Sequence, residues 1–227
     1  MSLLEFARGP ALTVSLLVFF IGTAWRLWAV LRRPRKTDHS APRRSDTVTG
    51  GLRAIWQRML PRSAYERIGM TGTINAYAYH IGIAVIVFAF APHIGFIERL
   101  TGLSWAALPD GVTYVATAFA IVGLVFALAT RLTDDVQRLL SNFDDYFTWL
   151  VTMLPIVTGM ALIEQSYVPA TPMVAPATPN PTLLAVHLLS LELMLIWFPF
   201  GKLAHAALVF VSRYRTGVEF TRKGAAL

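Results

Sequence analysis

The apolar residues of this chain are gathered into long runs separated by polar stretches. The runs lie at about 11–31, 73–96, 112–130, 146–162 and 183–212. Each comes close to, or exceeds, the roughly 20 residues that a helix needs to cross a hydrocarbon core about 30 Å thick. In that medium every backbone N–H and C=O has to be paired within its own segment, so the runs read as helices. The pattern predicts an all-α integral membrane protein of five transmembrane helices, built as one domain over residues 1–227.

The polar stretches orient the chain. Ten Lys and Arg fall between Arg32 and Arg67, in a loop spanning about 32–70. Loops this basic stay in the cytoplasm, which predicts an outer N-terminus. A tail with Arg213, Arg215, Arg222 and Lys223 then ends inside, while the outer side carries only Arg8 and Arg99. The first run is followed by this basic stretch and by no small-residue cleavage site, so it reads as a retained helix. Gly50 to Arg67 interleaves basic and bulky apolar residues and reads as an interfacial helix on either side of Pro61, either against lipid headgroups or as a docking surface. The outer segment from Ser166 to Thr182 holds five prolines, which argue against helix there.

Composition narrows the chemistry. Hydrophobic residues make up 55% and charged ones 15%, and the mean hydropathy is +0.54. A net charge of +7 is also found in proteins that bind nucleic acid, but its confinement to the loops of one side points to membrane orientation. There are no cysteines, which excludes disulfides, thiolate zinc sites, cysteine-held iron–sulfur clusters and c-type haem in this chain. Any metal has to be held by His, Met or carboxylate.

Four of the five histidines, His80, His93, His187 and His205, fall in the second and fifth runs, two in each, while His39 lies in the basic loop. Eighteen steps separate His187 from His205, which in an unbroken helix is about five full turns and about 27 Å. Because the two runs cross in opposite directions, His80 and His205 share an inner depth, and His93 and His187 an outer one. Two histidines at one depth can clamp a haem iron from both sides, giving a saturated centre suited to electron transfer. This predicts two b haems, the inner on His80 and His205 and the outer on His93 and His187.

His80 and His93 are thirteen residues apart, about 220° around one helix, so that helix has to bend, and Pro92 supplies the cause. Pro199 can kink the fifth. Gly82 and Gly201 leave room for a macrocycle or for helix contact, and Arg26, Lys202, Arg213 and Arg215 are candidate partners of haem propionates. Asp134, Asp135, Asp144 and Asp145 form an acidic inner patch, read as a solvated face or a partner dock. The competing reading from another class is a cofactor-free, proton-coupled transporter that uses the histidines as proton sites.

Several stretches carry a resemblance: FARGP (Phe6 to Pro10), HIGI from His80 with a second histidine thirteen residues on, SWAALPD (Ser104 to Asp110), RLTDD (Arg131 to Asp135), HLLSLELMLIWFPFGKLAH (His187 to His205) and RTGVEF (Arg215 to Phe220). In this order they resemble the cytochrome b subunit family that includes the gamma subunit of respiratory nitrate reductase. The closer resemblance is to the membrane cytochrome of the sulfite-reduction-associated transmembrane complex. The nitrate reductase branch spaces its second-helix histidines more closely, at the position held here by Phe90, which favours the sulfur-metabolism branch.

The resemblance implies a subunit of a respiratory oxidoreductase in the bacterial inner membrane, not catalytic alone. It implies bis-histidine b haems, a menaquinone or ubiquinone site near the outer haem, and a cytoplasmic iron–sulfur partner, such as one like heterodisulfide reductase. For the quinone the candidates are Glu98, Arg99, Glu164, Gln165, Tyr167 and Glu192.

Overall fold

A computed structural model describes residues 1–34, 39–59, 66–166 and 179–225, and every regular element among them is helical. Among the described residues four helices are long and apolar enough to cross a membrane, and a broken pair makes a fifth candidate crossing. Large apolar side chains cover their outer faces: Phe20, Ile21 and Trp25 are 63%, 65% and 66% exposed. Surfaces of this kind belong against lipid, and the chain is a helical transmembrane protein. The chain divides into two compact units, Met1–Glu66 with Leu184–Leu227, and Arg67–Leu183.

In the first unit the helix starts well before the apolar run. α1 (Leu3–Phe6) is capped by Ser2, whose hydroxyl accepts from the Glu5 N–H while the Glu5 carboxylate accepts from the Ser2 N–H. Pro10 cannot donate to the preceding turn, and a π turn over Ala7–Ala11 absorbs it before α2 (Leu12–Arg32) continues. α3 (Thr47–Gln57) packs along α10 (His205–Lys223) through small residues. A Cβ on Gly217 would run into the Ala54 Cβ, and one on Gly51 would stand 2.5 Å from the Tyr214 ring. Arg215 closes the end of α2 by donating to the Val30 and Leu31 carbonyls at 2.7 and 3.0 Å.

In the second unit α4 (Glu66–Ala89), α6 (Asp110–Thr133) and α8 (Phe143–Ser166) pack around Ala120, Leu124, Met153 and Ile156. A Cβ on Gly82 would meet the Ala116 carbonyl oxygen, so Gly82 serves this helix contact. α7 (Asp135–Leu140) turns the chain back. The Arg131–Asp145 ion pair, 2.8 Å with Asp145 buried, fastens that turn, and Ser141 accepts from the same guanidinium. The expected acidic patch is largely used by the fold: Asp134 caps α7, Asp135 pairs with Arg138 and Asp144 accepts from Thr148.

Two predicted spans are broken. α4 ends at Ala89, Phe90 is extended, and a separate helix α5 (Ala91–Thr101) begins with Pro92 in its first turn. The fifth run divides into α9 (Pro181–Trp197) and α10, turned by 73° across Phe198–Gly201. The fifth helix therefore does not run through to Ser212. The expectation of five straight turns between His187 and His205 fails with it, because Pro199 breaks the helix rather than kinking it.

Candidate functional site

Each of the two histidine-bearing segments is interrupted between its histidines. His80 lies on α4 and His93 in the first turn of α5; His187 lies on α9 and His205 opens α10. The rotation mismatch between His80 and His93 vanishes, since the two belong to different helices.

The break at Phe90 releases carbonyls that a continuous helix would have used, and within an apolar span each has to be met. His93 Nδ1 takes the Ile86 carbonyl at 2.6 Å, the Trp105 indole N–H takes that of Phe88 at 2.5 Å, and the Leu108 N–H takes that of Ala89 at 2.9 Å. The SWAALPD stretch is thus the cap of the break that positions His93. The Phe90 ring stands edge-on to the imidazole at 5.4 Å.

The break at Phe198–Gly201 is served by one face of α2. Phe19 meets Phe198 edge-on at 4.8 Å, Gly22 lies so close to Pro199 that a Cβ would stand 2.7 Å from its ring, and Arg26 donates to the Pro199 and Gly201 carbonyls at 2.6 and 3.3 Å. Gly201 packs against Trp197, so it too serves a contact within the chain. His205 follows on a short 3₁₀ turn, with its Nδ1 bonded to the Lys202 carbonyl at 2.7 Å. His80 Nδ1 bonds the Ala76 carbonyl, also at 2.7 Å.

Three of the four imidazoles therefore share one arrangement. A carbonyl only accepts, so Nδ1 carries the proton and, in the neutral ring, Nε2 carries the lone pair. Metal-binding histidines are oriented in this way, by giving the second ring N–H to a backbone carbonyl or carboxylate. His187 has its own carbonyl held by the Ser190 hydroxyl at 2.7 Å. Among the described residues no group of three or more His, Asp or Glu converges on a point. An imidazole held in this way is of the kind that can ligate a haem iron.

Of the four propionate candidates, three are tied to backbone carbonyls. Arg26 holds the break, Arg215 holds the end of α2, and Arg213 reaches the Ile55 carbonyl at 3.4 Å. Lys202 is exposed beside the turn that carries His205.

The quinone candidates separate in a similar way. Glu98 and Arg99 are exposed on α5, five and six residues after His93. That places them about 140° and about 120° to opposite sides of it, off its face. Glu164 and Gln165 lie in the last turn of α8, and their side chains, like Tyr167, fall outside the described residues. Glu192 on α9 is 3% exposed, and neither carboxylate oxygen has a hydrogen-bond partner among the described residues. An unpaired buried carboxylate is costly, so this group calls for a proton or a ligand.

No sequence-family model matches the chain, and no solved structure matches it. The chain is 31% identical over 222 residues to a protein of Nitratidesulfovibrio vulgaris, covering 96% of this chain and 93% of the relative, whose description goes no further than "Protein". The chain belongs to the family of that Nitratidesulfovibrio vulgaris protein.

Proposed function

We propose that the chain is the dihaem b-type cytochrome subunit of a respiratory oxidoreductase in the bacterial inner membrane. It moves electrons between the quinone pool and a cytoplasmic iron–sulfur partner in sulfur-compound metabolism. In this reading five spans run from an outer N-terminus to a cytoplasmic C-terminus, α9 and the break that follows it forming the fifth. His80 and His205 would hold the iron of the inner haem, and His93 and His187 that of the outer one. A haem so held would supply reversible one-electron exchange.

The observation that carries the reading is the shared bond from Nδ1 to a backbone carbonyl at His80, His93 and His205. These bonds set which ring nitrogen is offered and resist rotation of the ring. The breaks at Phe90 and Phe198–Gly201 let each segment aim its two imidazoles independently, which one straight helix cannot do. Lys202, exposed three residues before His205, would be the nearest of the proposed cations in sequence to an inner propionate. Glu192, buried and without a hydrogen-bond partner among the described residues, takes up or delivers the proton that accompanies quinone chemistry.

The purified protein tests this. Its reduced-minus-oxidised spectrum should show the α band of low-spin b haem, weakened in His205→Ala and in His187→Ala. Colourless protein from cells supplied with iron and haem would refute the reading and favour a cofactor-free transporter. Co-purification of a molybdenum subunit would instead make it a nitrate reductase gamma subunit.

A further inference from the structure

The helix α3 belongs to neither histidine segment, yet its eleven residues present three distinct faces. At about 100° per residue, Gly50, Gly51 and Ala54 fall on one side, Thr49, Arg53 and Gln57 on a second, and Val48, Leu52 and Trp56 on a third. The first face is buried against α10, with Gly50 meeting Thr221 and Ala54 meeting Gly217, so the two helices run antiparallel, side by side. The second is polar and exposed. The third is apolar and open: Val48, Leu52 and Trp56 are 61%, 55% and 71% exposed. Nothing in α10 covers that stripe, because α10 already occupies a different side.

The setting of α3 says what covers it. α10 turns 73° away from α9. Spanning helices tilt by only about 20° on average, so a helix turned this far from a spanning one lies near the membrane plane. α3 runs along α10 and shares that course. Arg215 of α10 bonds the last carbonyls of α2, which fixes the pair at the level where that span leaves the hydrocarbon. The charge also fits: between Arg32 and Arg67, ten Lys and Arg stand against Asp38, Asp46 and Glu66 only. Helices with an apolar stripe carrying Trp and an adjoining basic face settle between lipid headgroups and acyl chains.

We infer that α3 is an in-plane membrane anchor: Val48, Leu52 and Trp56 insert into the lipid interface, and Arg53 faces the phosphates. The α3–α10 pair then forms a rigid shelf on the membrane surface directly after His205.

The chain has no cysteine, so single-cysteine variants of the full protein can be labelled cleanly. Leu52→Cys, Trp56→Cys and Gln57→Cys would carry a nitroxide label in vesicles of phosphatidylcholine and phosphatidylglycerol. At 52 and 56 the label should collide freely with oxygen and be shielded from a water-soluble nickel chelate; at 57 the preference should reverse. Labels at 52 and 56 as open to the chelate as the label at 57 would overturn the inference and leave the stripe for a protein partner. A label-free measurement compares tryptophan quenching by lipids brominated near the headgroup end of their acyl chains. The quenched component should shrink in Trp56→Phe, and an unchanged quenched fraction would also overturn the inference.

Discussion

His93 Nδ1 meets the carbonyl oxygen of Ile86 at 2.6 Å, across the extended residue that separates α4 from α5. One imidazole thereby both seals a break in the backbone and fixes its own orientation. The Trp105 indole does the neighbouring half of the work at Phe88. Trp105→Phe keeps the ring and removes that donor. The expected loss is about 1 kcal/mol of stability, read by thermal unfolding in detergent. The haem on His93 should broaden or shift in its spectrum while the other does not.

Arg26 should prove structural before it proves electrostatic. Its guanidinium meets the Pro199 and Gly201 carbonyls of the Phe198–Gly201 break, the second of which also accepts from the Ala204 N–H. Arg26→Leu leaves both without it and should cost about 2–3 kcal/mol in the same unfolding assay. Arg26→Lys, which offers a charge without the fork, should recover part of that loss.

The turn between α6 and α8 depends on an ion pair whose carboxylate is buried. Asp145→Asn leaves the Arg131 guanidinium without its anionic partner, and losing such a charged hydrogen bond costs about 1–3 kcal/mol. The measurable outcome is a sharp fall in the yield and melting temperature of the purified protein. Asp135→Asn, which removes the exposed pair with Arg138, should change stability by less than about 1 kcal/mol.

Glu192 separates proton handling from haem binding. Glu192→Gln keeps the shape and an acceptor but cannot exchange the proton. Reduction of the protein by a quinol analogue should slow by about a hundredfold. Haem content and spectrum should stay as in the wild type. A parallel loss of haem would mean that Glu192 only supports the fold.

Much of this architecture could be read from the chain, and the misses share one cause. The spans at α6 and α8 follow directly from apolar length, since nothing within them conflicts with a continuous helix. Pro92 marked the bend in the second span, because a proline in an apolar run always leaves carbonyls unmet. Pro199 raised the same question, but only distant residues decide whether the helix kinks or breaks. Gly22 and Arg26 on α2 make the break tolerable, and nothing near Pro199 in sequence announces them. The helix start at Leu3 was readable from the spacing of Ser2 and Glu5, a capping-box signature overshadowed by the polar residues around it. Trp105 and Leu108 stood out only as part of a resembling stretch. A break at Pro92 demands donors from a nearby loop, and an indole N–H in SWAALPD answers that demand.

If the four histidines act as two pairs, the number of haems follows the pairs and not the single ligands. Haem per chain would be measured by the pyridine haemochrome assay in wild type, His80→Ala, His205→Ala and the double variant. Two haems are expected in the wild type, one in each single variant, and still one in the double, because both substitutions empty the same site. A double variant that loses both haems, or single variants that each keep two, would rule the pairing out.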